Sequence, residues 1–103
     1  MSTISKPAAI RRIQFRLPYL PAQKVTLAGS FNNWDPNKLA LLDMGGQHWE
    51  IELSLPAGTH EYLFVVDGRW MSDPNNSQTV PNGFGRYNSV ITVPASRSRK
   101  TKS

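Results

Sequence analysis

Between His48 and Leu55 every second residue is apolar. Trp49, Ile51, Leu53 and Leu55 fall on one side of the run, and Glu50, Glu52 and Ser54 on the other. Strand side chains point alternately to opposite faces, so this pattern is a strand with one face on a core and the other in water. Pro56-Ala57-Gly58 turns the chain, which then runs back from Thr59 to Asp67. Here Tyr62, Phe64 and Val66 share one face while Leu63 and Val65 take the other. A strand apolar on both sides is covered on both, at least in part, and belongs in the middle of its sheet. The fold has to be built around these two strands.

The rest of the chain supplies more strands and no helix. Ile13, Phe15 and Leu17 alternate with Arg12, Gln14 and Arg16, and Pro18-Tyr19-Leu20-Pro21 closes that strand. Lys24 to Gly29 is a second strand, with Val25 and Leu27 on one face. Leu39 to Met44 is a short third run, ended by Gly45-Gly46. Asp67-Gly68 is a strong hairpin-turn pair, and Arg69-Trp70-Met71 begins the return strand. Ser72 to Arg86, rich in Asn, Pro, Gly and Ser, reads as a long loop of the kind that tends to be functional or disordered. Tyr87 to Val93 is the last strand. About seven short strands without helical periodicity predict an all-β, immunoglobulin-like β-sandwich, with a small barrel as the alternative. The expected organisation is a disordered N-terminus at 1–7, one sandwich at 8–94 and a basic, disordered tail at 95–103.

With 103 residues there is room for a single core. No apolar run approaches the roughly 18–20 residues that span a bilayer, and Met1 to Pro7 lacks the apolar stretch of a secretory signal. The absence of cysteine excludes disulfides, a thiolate nucleophile and a cysteine-based zinc site. A soluble cytoplasmic domain without membrane contact is the expectation. The net charge of +5 would ordinarily suggest nucleic acid. However, five of the basic residues lie in 1–24 and four in 97–102, leaving three against all seven acids between them. The body of the domain is acidic, which argues against a nucleic-acid partner.

Catalysis has little to stand on. His48 and His60 have no companion at metal-ligand spacing, Glu50 and Glu52 alternate on one solvated strand face, and no phosphate-cradling loop or Ser-His-Asp arrangement is visible. The chain reads as no enzyme, with no metal and no cofactor. The aromatic residues are more informative. Trp49 alternates with Ile51 and Leu53 and belongs in the core, and Phe31, just past a strand, reads as a plug. Trp34, in the Asn/Asp/Pro-rich stretch after Gly29, and Trp70, beside the Asp67-Gly68 turn, have polar neighbours. Each is either surface packing or a flat apolar face held out for a ligand.

Several spaced motifs then agree in order. They are Gly29-Ser30-Phe31-Asn32-Asn33-Trp34, Pro56-Ala57-Gly58-Thr59-His60-Glu61-Tyr62, Phe64-Val65-Val66-Asp67-Gly68-Arg69-Trp70, Asp73-Pro74, and Asn88 before the final strand. Over roughly residues 12–93 the series resembles the glycogen-binding domain of AMP-activated protein kinase β subunits, within carbohydrate-binding module family 48 (isoamylase N-terminal-like domains). The resemblance implies an early-set β-sandwich that binds α-1,4-linked glucans such as glycogen, starch and maltooligosaccharides. By that resemblance Trp34 and Trp70 correspond to the stacking tryptophans and Asn88 to an asparagine that hydrogen-bonds sugar hydroxyls. The chain departs from the family at Leu63, where kinase-type members carry a sugar-contacting lysine. Its long loop is one residue longer, with Phe84, Gly85 and Arg86 where those members offer a leucine and a threonine. Phe84 then stands in for the leucine, and Arg86 for lost hydrogen bonds.

The expected function is that of a stand-alone, non-catalytic glucan-binding module, with a glycogen-metabolising enzyme or other protein as a further partner. The alternative is a protein-interaction module on the same sandwich, using Trp34, Leu63 and Trp70 as an apolar patch in place of a sugar site.

Overall fold

In the computed structural model, residues 10–83 and 85–95 are described. The expectations for Phe84, for the N-terminus at 1–7 and for the tail beyond Ala95 lie outside these residues. Among the described residues nine strands follow one another: β1 (Ile10–Leu17), β2 (Val25–Gly29), β3 (Leu39–Ala40), β4 (Leu42–Asp43), β5 (Trp49–Pro56), β6 (Gly58–Val66), β7 (Arg69–Met71), β8 (Thr79–Pro81) and β9 (Tyr87–Val93). They form two antiparallel sheets, one in the order β1-β5-β4 and one in the order β3-β2-β6-β9-β8, with β7 also paired to β6. The architecture is an immunoglobulin-like β-sandwich and not a closed barrel.

The two strands that dominate the sequence pattern belong to different sheets. β5 lies between β1 and β4, whereas β6 pairs with β2, β9 and β7. The Pro56-Ala57-Gly58 turn therefore carries the chain across the sandwich. β6 is the central strand that its two apolar faces require. β2 takes one edge of it over Tyr62–Val66, and β9 and β7 share the other edge end to end, at Gly58–Tyr62 and Phe64–Val66.

Facing side chains of the two sheets make the core. Phe15, Leu17, Trp49 and Leu55 come from one side, and Val25, Leu27, Tyr62, Phe64 and Val93 from the other. Phe15 meets Tyr62 edge-on at 4.9 Å between ring centroids, a favoured aromatic geometry. Trp49 is buried, and its indole N–H donates to the Leu20 carbonyl at 2.9 Å, so its single polar atom is satisfied. Phe31 packs over the edge of this cluster as a plug, 6.1 Å from Phe15.

Two segments differ from the sequence reading. The Leu39–Met44 run is not one strand. Its first half pairs with β2 and its second with β5, so buried Leu41 marks a step from one sheet to the other. The supposed loop at 72–86 contains β8, which pairs with β9 from Thr79 opposite Ser89 to Pro81 opposite Tyr87. A three-residue edge strand that ends in proline leaves no alternation to detect.

Candidate functional site

The outer face of the larger sheet is where the two ambiguous tryptophans meet. Along β6 the core-facing Tyr62 and Phe64 alternate with Glu61, Leu63 and Val65, which point away from the core. Register places Ala28 opposite Leu63, and Thr26 and Trp70 opposite Val65.

Trp34 is delivered to this face by a loop that the sequence builds tightly. The Asn32 side chain accepts from the Gly29 amide at 2.9 Å and donates to the carbonyls of Leu27 (3.3 Å) and Asp35 (3.1 Å), closing the turn from within. Ser30 ties the loop to β6 twice, its amide donating to the Glu61 carbonyl and its hydroxyl accepting from the Glu61 amide. Gly29 is required by space, because a Cβ there would sit 2.5 Å from the Glu61 carbonyl oxygen and 2.7 Å from the Phe31 ring. Asn33 and Trp34 both have a φ of 57°. Asparagine tolerates this left-handed region, but a tryptophan there is an outlier costing on the order of 1–3 kcal/mol. The surrounding bonds hold it, with the Trp34 amide donating to the Gly29 carbonyl at 2.9 Å.

Trp70 arrives on the hairpin between β6 and β7. Asp67 and Gly68 both have positive φ, 48° and 86°, which is the two-residue turn whose twist suits a hairpin. The Asp67 carboxylate accepts from the amides of Gln23 and Lys24, fastening the turn to the start of β2. Trp70 is left 38% exposed.

Between the tryptophans the surface is concave. A cavity of about 630 Å³ is lined by Trp34, Leu63, Trp70, Pro81, Asn82, Arg86, Glu61 and Asn88. Leu63 forms an apolar floor and is itself only 9% exposed. One wall is polar and internally bonded. Asn82 Nδ2 donates to Asn88 Oδ1 at 3.2 Å, and Asn88 Nδ2 donates to Glu61 Oε1 at 3.0 Å. A second, smaller hollow, lined by Lys24, Thr26, Pro36, Asn37 and Val65 among others, lies on the other side of Trp70.

A partly buried polar knot holds the segment that leads to Pro81 and Asn82. The Tyr62 hydroxyl donates to Asp73 Oδ2 at 2.7 Å and accepts from Asn76 at 3.0 Å. The Asp73 amide donates to Ser89 Oγ, and Asn76 also donates to the Val90 carbonyl. Burial pushes the Tyr62 phenol well above its ordinary value, Asp73 adds to that, and the Asn76 hydrogen bond opposes it. Among the described residues no group of three or more His, Asp or Glu side chains is placed to hold a metal ion, and no helix is long and apolar enough to cross a membrane.

Of the residues singled out from the sequence, Trp34, Trp70, Asn88 and Arg86 line the one cavity, while Phe84 lies outside the described residues. Glu61, Pro81 and Asn82 were missed. Glu61 was recoverable, because it stands two residues before Leu63 on the face that Trp70 shares. Pro81 and Asn82 were hidden by the reading of 72–86 as featureless loop.

A family model described as the glycogen recognition site of AMP-activated protein kinase matches residues 12–99. The chain is similar to 5'-AMP-activated protein kinase subunit β-1 of Sus scrofa, 42% identical over 71 residues that make up 69% of this chain and 55% of that one. Subunit β-1 of Homo sapiens is likewise 42% identical over 71 residues, covering 69% of this chain and 25% of that one. Subunit β-2 of Mus musculus is 39% identical over the same share of this chain, again 25% of its own length. The chain thus spans about half the length of the first of these relatives and a quarter of the others.

Proposed function

The chain belongs to the family of the glycogen recognition site of AMP-activated protein kinase, and from that premise we propose that its cavity binds α-1,4-linked glucans by tryptophan stacking, without catalysis. The observation that carries this reading is the pairing of Trp34 and Trp70, brought from separate loops to one concavity above the Leu63 floor. An α-1,4-glucan curves, and its rings expose apolar C–H faces edged by hydroxyls. Two indoles can then take consecutive rings, each stack adding about 0.5–1.5 kcal/mol beyond buried area by analogy with aromatic pairs. The polar wall of Asn88, Glu61, Asn82 and Arg86 would fix the orientation of the sugar. An open site of this size supports affinities on the order of micromolar to millimolar.

The strained φ of Trp34 adds support, since loops hold such conformations where a side chain has to be presented. The rival reading, a protein-docking patch of Trp34, Leu63 and Trp70, draws less support, because Leu63 between the two indoles is only 9% exposed and adds little apolar area. The names of the relatives, subunits of a kinase, make a protein partner part of the proposal.

Titration with β-cyclodextrin or maltoheptaose, followed by isothermal calorimetry, tests the reading. The wild type is expected to bind, and Trp34→Ala and Trp70→Ala each to weaken binding about tenfold. No binding at millimolar sugar, or undiminished binding by the double variant, would overturn it.

A further inference from the structure

We infer that Glu61 is a direct sugar ligand, whose carboxylate accepts from the vicinal hydroxyls at O2 and O3 of a glucose ring and makes the site selective for glucans with both positions unsubstituted. The inference rests on the glucan reading and names the group that orients the sugar. It starts from the direction of the hydrogen bonds in the polar wall. Asn82 donates to Asn88, and Asn88 donates to Glu61. Both ends of the Asn88 side chain are therefore engaged, and Asn88 is 7% exposed.

Glu61 is the acceptor end of that chain. Its carboxylate has about four acceptor sites and no donor. The Asn88 bond uses one site on Oε1, and Glu61 is only half-buried along the cavity wall. The ion pair among the described residues is Arg16–Glu50, on the other sheet, so Glu61 is not tied to Arg86 although both line the cavity. The wall thus presents an acceptor-only carboxylate and a donor-only guanidinium. A sugar diol matches that pair, because each hydroxyl both donates and accepts. Both hydroxyls can donate to the Glu61 carboxylate while one of them also accepts from Arg86, and hydrogen bonds to charged groups exceed neutral ones in strength. Leu63, two residues along on the same face, supplies no charge to neutralise Glu61.

The test compares wild type and Glu61→Gln against β-cyclodextrin and its 2,3-di-O-methyl derivative, which keeps the apolar ring faces and loses the donors. Glutamine still accepts from Asn88, so the wall is preserved while the charge is removed. Wild type is expected to prefer unmodified β-cyclodextrin, and Glu61→Gln to bind it about tenfold more weakly with that preference reduced to a similar extent. Equal affinity of Glu61→Gln and wild type would overturn the inference while leaving the glucan reading in place. So would equal weakening on both sugars, which would mark Glu61 as a positioning residue for Asn88. Failure of the wild type to bind β-cyclodextrin would overturn the glucan reading itself.

Discussion

At Gly29 a single hydrogen does the work of separating two elements. The Glu61 carbonyl and the Phe31 ring approach it so closely that a methyl group has no room. Gly29→Ala is expected to destabilise the domain by about 1–3 kcal/mol in urea unfolding, the range for overpacking a close contact. An unchanged midpoint would mean that the Trp34 loop does not hold the approach described. Tyr62 makes a second prediction at this scale. Its phenol is buried, donates to Asp73, and has its pKa raised above the ordinary 10. Tyr62→Phe leaves Asp73 and Asn76 without that partner and should cost about 1–3 kcal/mol near neutral pH. Because the folded-state pKa is raised, the contribution of Tyr62 is complete below pH 10 and is lost as pH rises through the folded-state value. The stability gap between wild type and Tyr62→Phe should therefore narrow above pH 10, measured by denaturant titration at successive pH values. A gap that widens would contradict this reading of the knot.

At the scale of elements, the loop from Gly29 to Pro36 and the β6–β7 hairpin hold the tryptophans for different reasons. The hairpin depends on two residues with positive φ and on the Asp67 carboxylate. The loop depends on Asn32, which makes three hydrogen bonds to backbone and does not line the cavity. Asn32→Ala is expected to weaken β-cyclodextrin binding several-fold by releasing Trp34 from its strained conformation, at a stability cost of about 1–3 kcal/mol. Titration of the variant at a temperature where it is fully folded separates the two effects, and unaltered affinity would show that Trp34 is held by other means. The regular strands were legible because alternation in β1, β5 and β6 follows from one-sided or two-sided burial. The shortest edge strands were legible only in part, β3 and β4 as one run and β8 not at all. β3, β4 and β8 are two or three residues long, too short for periodicity to register, and are placed by their partners.

Across the whole molecule, the smaller sheet closes the core and the larger one carries the candidate site on its outer face. That division explains why Trp49 and Trp70, on neighbouring stretches of sequence, have unlike fates. Trp49 sits on the core face of one sheet, and Trp70 on the outer face of the other. Spacing distinguished Trp49, since it alternates with Ile51 and Leu53, but it left Trp34 and Trp70 as either packing or ligand surface. Only the register of β6 with β2 and β7 brings them over Leu63. Glu61 shares the face of Leu63 by alternation alone, but its bond to Asn88 on β9 needs the pairing of β6 with β9. The central claim is that these two tryptophans form one sugar-binding surface. A calorimetric titration of wild type, Trp34→Ala, Trp70→Ala and the double variant with β-cyclodextrin tests it most directly. The account predicts saturable binding by wild type, weakening of about tenfold in each single variant and loss in the double variant at millimolar sugar. Binding by the double variant that matches wild type would contradict it.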